Sequence, residues 1–527
     1  MPLYGWALDL RYIKGYKPYS CNGFCPYSDT CTHGTNILST VKVRRHHIER
    51  LPNYVETYVP IEEAEEDFKQ KLIHAMDADR NGWYVIKAQT ALGKTQSYLE
   101  QLRNTSLNVL IAVPTLILKN QICQRAKRMG IKMRESPSLR EFSFPDDVQS
   151  EIENCYSRGR SPIPYLKKAI KEGHPCSGLF KKYLYDIEAF GDYGGHGITT
   201  HKMLLTLDVS KYDLVIVDED IIFKTVVPNK VDISISDLKK LRKKIEPSGP
   251  LARKINQVLK HAKSAEYFSL PKIGCDWDEY DDIKMAVDIP SLCSATHFCY
   301  RKVSDDLPEA CVSFLKPVEF KEVTKYIMVS ATADEEICRY YFGDNLTEFH
   351  ECKRAANQGN LNQYYSRSMS RADIAKDPAI IDRIKKWSGF EHTISFKKYR
   401  RGGLYFGNTE GCDHLKGENI DVIGTPHQPE WIYKLFAFSL ECGIDIDERI
   451  KPGTAAVHNG YRFRFTTYEG EGLRAIQFWM IESEQEQAVG RARLLRKGCT
   501  VNLFSNFPLR QANLMESEYD KEADRDV

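Results

Sequence analysis

Nowhere in its 527 residues does the chain hold the roughly eighteen consecutive apolar side chains that a bilayer-spanning helix requires. The opening stretch, "MPLYGWALDLRYIKG", also lacks the basic-then-apolar order of a secretory signal. Both absences lead to the expectation of a cytoplasmic protein with no membrane partner. That compartment is reducing, so the fifteen cysteines are expected as free thiols or metal ligands, not as a disulfide framework. Neither sign of charge is in excess: 74 Lys and Arg stand against 72 Asp and Glu, and a net charge of +2 gives no global sign of a polyanionic partner. No internal repeat or low-complexity tract is present.

What is present fits a folded chain. A hydrophobic content of 42% is too high for disorder, and the length exceeds what one core fills, so two to four domains are expected. Charge is also uneven along the chain. Residues 237–263, "DLKKLRKKIEPSGPLARKINQVLKHAK", are strongly basic and read as an amphipathic helical hairpin, while "CDWDEYDD" just after them and the tail from Met515 are acidic. Short Val- and Ile-rich runs, "WYVIKA", "LNVLIAVPT", "YDLVIVDED", "KYIMVSAT" and "IDVIGTP", end in small or polar residues, as buried parallel strands do. Helical stretches such as "TQSYLEQLRN" and "LILKNQICQRAKRMG" alternate with them, which predicts an α/β fold with parallel sheets.

One segment carries chemistry directly. Ala88, Gln89, Thr90, Ala91, Leu92, Gly93, Lys94 and Thr95 stand between a strand and a helix. A phosphate-binding loop needs backbone N–H groups that wrap a phosphate, a lysine for the β and γ phosphates and a hydroxyl for Mg²⁺. Gly93, Lys94 and Thr95 supply the end of that pattern, with Ala88 where a first glycine is usual. A second strand ends in Asp218 and Glu219, where one carboxylate holds the Mg²⁺ shell and the next activates water.

The order of these segments resembles a superfamily 2 helicase. "VPT" at 113–115 is similar to motif Ia, "ITTHK" at 198–202 to motif Ib, "DEDI" at 218–221 to motif II, "SAT" at 330–332 to motif III, and "QAVGRARLLR" from Gln487 to motif VI. The resemblance implies two RecA-like P-loop domains with ATP between them. The long interval from Asp218 to Ser330 implies an insertion at about 224–320, and a second fits at about 134–195. Together with Glu410, Gly411, Asp413, Gly424 and Pro426, which match a motif V, this layout resembles the arch-containing DNA repair helicases of the iron-sulfur type. Those use four cluster cysteines, whereas the first insertion offers only Cys155 and Cys176, so no cluster is expected.

Roles follow from the resemblance. Lys94, Asp218, Glu219, Gln487 and Arg491 would be catalytic, with Thr95 and Asp218 holding Mg²⁺. Leu494 stands where motif VI has its second arginine, so either Arg493 or Arg496 takes over that role or the role is absent. Gln70 is either an adenine reader or an exposed helical residue. Thr115, Thr200 and His201 are expected to touch nucleic acid, as are Lys397, Lys398, Arg400 and Arg401 in "SFKKYRRGG", for which a solvated loop is the alternative.

The N-terminal segment offers Cys21, Cys25, Cys31 and His33 in a C-x3-C-x5-C-x-H arrangement, an inventory suited to tetrahedral Zn²⁺. His46 or His47 are alternative fourth ligands. The expected domains are a zinc knuckle with a basic segment at 1–60, a first RecA-like domain at 61–335, a second at 336–514 and a disordered acidic tail at 515–527. The expected function is ATP-dependent DNA helicase or translocase activity on single-stranded or forked DNA in replication, repair or mobile-element maintenance. A replication or repair protein is a further expected partner, docking on the knuckle. An RNA helicase, or a non-catalytic nucleic-acid-binding scaffold, is the alternative.

Overall fold

A computed structural model describes residues 48–274, 280, 283, 285–304, 307–321, 324–400, 404–409 and 414–516. Its largest element is a seven-stranded, wholly parallel sheet. In spatial order the strands are Thr347–Glu351, Gly82–Lys87, Lys325–Ser330, Leu214–Asp218, Val109–Val113, His196–Thr200 and Met133–Glu135. Its central strands are buried on both faces, which is why they read as continuous apolar runs.

Alternate residues of these strands enter two different cores. Tyr84, Ile86, Ile111 and Ile216 face the helices Ile61–Asp77, Lys94–Asn104 and Leu116–Arg128 through Phe68, Leu72, Leu99 and Ile122. Trp83, Val85, Val215 and Val217 instead share a cluster with Ile432, Tyr433, Phe436, Ile476, Trp479 and Met480. Those last six belong to the helices Glu430–Ser439 and Glu471–Val489 of the C-terminal half. The two halves of the chain are thus joined by one continuous apolar cluster.

The C-terminal half carries a five-stranded parallel sheet in the order His392–Ile394, Ile420–Ile423, Thr500–Phe504, Asn360–Tyr364, Asn513–Met515. Beside it lies a three-stranded antiparallel ribbon, Ile48–Arg50, Tyr461–Thr467 and Lys451–His458. Tyr461, Phe463, Phe465 and Thr467 point inward and Arg462 and Arg464 outward, the period of two that a half-buried strand requires.

Two insertions have cores of their own. Residues 136–195 hold the helices Asp146–Ser157, Ile163–Lys171 and Ser177–Asp192, packed through Val148, Leu166, Phe180 and Tyr183. Cys155 and Cys176 are half-buried free thiols there. The second insertion is a four-stranded antiparallel sheet, Lys230–Ser234, Cys311–Leu315, His297–Arg301 and Tyr267–Ser269, with the helices Ile235–Lys244 and Pro250–His261. Those helices are the basic hairpin. Most of its cations face outward, but Lys254 is buried, and its ammonium donates to the carbonyls of Pro271, Cys293 and Ala295 at 3.0, 2.6 and 2.7 Å.

Three expected boundaries move. The first sheet ends not at 335 but at Glu351, because the edge strand Thr347–Glu351 pairs with Gly82–Lys87. Its polar composition, "TEFHE", hides it in the sequence. Ile48–Arg50 pairs with Tyr461–Phe463 and so belongs with the C-terminal half, not with an N-terminal module. Met515 closes an edge strand instead of opening a tail. Residues 1–47 and 517–527 lie outside the described residues.

Candidate functional site

Strand Gly82–Lys87 leads directly into the glycine-lysine loop. The Ala88 N–H donates to the Ser330 carbonyl at 2.8 Å, which fixes the loop to the neighbouring strand end. The chain then turns through two left-handed residues, Ala91 (φ 67°) and Gly93 (φ 92°), and Gly93 caps the helix that begins at Lys94. A non-glycine residue held in this region costs on the order of 1 kcal/mol, so the loop shape is imposed by its surroundings. Lys94 is largely buried and donates to the Ala88 carbonyl at 3.2 Å, closing the loop on itself. Leu92 anchors the loop in the core, and the Gln89 amide oxygen accepts from the Ala355 N–H at 3.1 Å.

The carboxylates meet this loop from the end of strand Leu214–Asp218. Asp218 Oδ2 accepts from the Tyr98 hydroxyl at 2.9 Å and from the Thr95 hydroxyl at 3.4 Å. Burial raises its pKa, the neighbouring Glu219 raises it further and Lys94 opposes them, leaving it at about 6. Glu219 has a left-handed φ of 73°, and its N–H donates to the Val329 carbonyl at 2.9 Å. In the Ser-Ala-Thr segment the Thr332 N–H donates to Ser330 Oγ at 3.1 Å.

The opposite wall comes from the end of helix Glu471–Val489. Gln487 is only 3% exposed, and neither its amide oxygen nor its amide nitrogen has a hydrogen-bond partner among the described residues. A buried amide with no protein partner costs about 1–3 kcal/mol. Arg491 is nearly buried and donates from Nε to the Gln487 carbonyl at 3.1 Å. Arg493 takes a left-handed turn (φ 62°) at the rim. Arg496 reaches across to the first half, donating from Nε to the Ala91 carbonyl at 2.7 Å and pairing with Glu65. Gly490 lies so close to Thr90 that a β-carbon there would sit 2.5 Å from Thr90 Cγ2. Lys94, Thr95, Asp218, Glu219, Arg491 and Arg493 line one cleft of about 560 Å³. That volume lies within the range of small-molecule pockets.

Several expected site residues stand elsewhere. Gln70 is exposed on helix Ile61–Asp77 and donates to Glu66 at 3.2 Å. It lies two residues, about 200°, from the inward-facing Phe68, so the helix turns it away from the cleft and Glu65 approaches instead. His201 is fully buried with Nε2 3.0 Å from the Asp218 carbonyl, which supports the acidic strand end from behind and puts it out of reach of a surface ligand. Thr115 and Thr200 are half-buried helix caps that accept from the Leu118 and Met203 N–H groups at 3.2 and 3.3 Å.

Lys397, Lys398 and Arg400 are exposed and lie over the rings of Tyr405, Tyr399 and Tyr405 at 5.9, 5.6 and 5.4 Å. Sequence reading missed Arg140 and Lys316, whose charges, after burial, lower the pKa of Lys202 beside the Thr200 cap. They come from the two insertions, and only the fold brings them together. Glu410, Gly411, Asp413 and Arg401 lie outside the described residues, as do Cys21, Cys25, Cys31, His33, His46 and His47. Among the described residues, His74, Glu348 and His350 bring three possible metal-donor atoms within 4.8 Å of one another on the surface.

No family model matches the chain. No curated protein matches it. Solved structures similar to it include Xpd4 of S. tokodaii, at 11% identity over 86% of this chain and 100% of that one, with a TM-score of 0.44. Dbp5 of S. cerevisiae bound to RNA and ADP BeF3 is 9% identical over 87% of this chain and 91% of its own, with a TM-score of 0.35. The DEAH/RHA helicase HrpB of Escherichia coli is 10% identical over 86% of this chain and 44% of its own, with a TM-score of 0.33.

Proposed function

We propose that this chain is an ATP-driven nucleic-acid motor of the superfamily 2 kind, acting as a helicase or translocase on single-stranded or forked DNA. One observation carries the reading. The glycine-lysine loop and paired carboxylates of one half face Arg491, Arg493 and Arg496 of the other half across a single cleft.

Phosphoryl transfer to water asks a protein for positioning and charge neutralisation. Backbone N–H groups of residues 90–95 and the Lys94 ammonium bind the β and γ phosphates. Thr95 and Asp218 are the residues that would hold Mg²⁺, which supplies charge neutralisation between the phosphates. Their oxygens already converge at 3.4 Å. Glu219 orients the attacking water and takes its proton. Gln487 and Arg491 complete the γ-phosphate shell from the second half, so hydrolysis is tied to the relation between halves. Arg496 and Arg493 share the place of the missing second arginine of motif VI.

Thr115, Thr200, Lys202, Arg140, Lys397, Lys398 and Arg400 form the proposed phosphate track. The knuckle of Cys21, Cys25, Cys31 and His33 belongs to the same reading as a zinc site that docks nucleic acid or a replication or repair protein. Metal analysis of the purified chain tests it, and less than about half a zinc per chain refutes it.

The decisive experiment is ATP turnover with single-stranded DNA, with RNA and without polymer. Stimulation by DNA and loss of turnover in Lys94→Ala are expected. Stimulation by RNA alone transfers the reading to an RNA motor. Absence of turnover in all three conditions refutes it in favour of a binding scaffold.

A further inference from the structure

The third acid of the D-E-D run does not enter the cleft. Asp220 is 1% exposed, and its Oδ1 accepts from the N–H groups of Ile222 and Phe223 at 3.0 and 3.2 Å. Its Oδ2 points the other way and accepts from the indole N–H of Trp479 at 3.3 Å. Trp479 is 4% exposed on helix Glu471–Val489, edge-on to Phe223 and stacked near Phe436, each with ring centroids 5.6 Å away. Around this bond the interface between the halves is apolar, built from Val217, Ile221, Ile222, Phe436, Ile476 and Met480.

Capping two backbone amides needs only one side-chain oxygen, and Asn or Ser would serve. A carboxylate also satisfies the indole, the polar tip of a ring that otherwise lies in hydrocarbon. The bond joins two functional ends by rigid backbone. Asp220 is two residues from Asp218 and one from Glu219. Trp479 is eight residues, about 12 Å of helix, before Gln487.

We propose that Asp220 and Trp479 are a positioning pair. Through them, the arrangement of Asp218 and Glu219 is transmitted to the helix that presents Gln487 and Arg491, so the pair sets the polymer-stimulated rate and not the affinity for nucleotide. This rests on the motor reading above.

The test is a double-mutant cycle in the full chain with Trp479→Phe and Asp220→Asn. Trp479→Phe keeps a ring in the core and removes the donor. Asp220→Asn keeps an acceptor for the amides and turns an N–H₂ toward the indole. Each variant is expected to lower polymer-stimulated kcat about tenfold, with the Kd for a fluorescent ATP analogue and the unstimulated rate each within about twofold of the unaltered chain. The double variant is expected to be no slower than the slower single one.

Equal loss of stimulated and unstimulated turnover overturns the proposal, as does a double variant slowed about 100-fold or no change in any variant. If the unaltered chain shows no turnover with any polymer, the motor reading itself fails and the pair fails with it. Trp479→Phe is the conservative arm, and it alone decides the question if Asp220→Asn does not fold.

Discussion

Gly490→Ala probes the tight contact between the two halves at Thr90. Gly490 sits in ordinary helical backbone at φ −60° and ψ −15°, so alanine there narrows the unfolded ensemble and favours folding by about 0.4–1 kcal/mol. Its new methyl, however, would lie 2.5 Å from Thr90 Cγ2, an ångström inside normal contact. Either the phosphate loop or the turn bearing Arg491 must give way. Overpacking of this kind costs about 1–3 kcal/mol, which outweighs that gain, and a shift of the same size in the placement of Lys94 or Arg491 is about five- to 150-fold in kcat/KM. Thr90→Ser removes Cγ2 and leaves Cβ and Oγ1 at 3.3 and 3.4 Å, tight but tolerable. Steady-state ATPase and thermal melting on Gly490→Ala, Thr90→Ser and the double variant therefore give a distinct pattern. The single alanine variant melts lower than the parent and turns over slowly, and serine at 90 restores turnover to within about threefold and recovers most of the melting loss. Full activity in Gly490→Ala, or a double variant as slow as the single one, would refute the packing argument.

Lys254→Met leaves three buried carbonyls without their donor and is expected to cost about 3–5 kcal/mol, read as a lower denaturant midpoint for the second insertion. His427 is held neutral, first by burial and then by Arg371, with its pKa brought down to about 4. The unfolded chain binds its proton near 6.5, so this contribution is complete above that pH and is lost as pH falls toward 4, about 3 kcal/mol in all. Urea midpoints at pH 7.5 and 5 should therefore differ less in His427→Gln than in the parent, and an equal shift in both proteins counts against the assignment.

The parts legible in the sequence were those with a local signature. Val- and Ile-rich runs marked five parallel strands because a strand buried on both faces must be apolar throughout. Gly93, Lys94 and Thr95 declared their loop because phosphate chemistry fixes spacing along one stretch of chain. What stayed hidden depends on helical phase or on partners distant in sequence. The phase of one helix turned Gln70 outward, and the buried His201 gave no sign that its partner is the Asp218 carbonyl. Polar edge strands such as Thr347–Glu351 need only one partner, so composition does not reveal them. The reach of Arg496 to Ala91 joins residues 405 apart in the sequence.

The apolar cluster that Trp83 and Val217 share with Phe436 and Trp479 limits how the two halves can move past one another. Parting two close-packed surfaces would flood that oil-filled joint with water, at roughly 25 cal/mol for each Å² laid bare. Helices sliding across one another keep it dry and move by changing rotamers, an ångström or two at a time. Under the proposed function each cycle would be a short shear stroke on a greased bearing, not the swing of a jaw. Side chains such as Met480, which can change shape without losing contact, would lubricate that stroke.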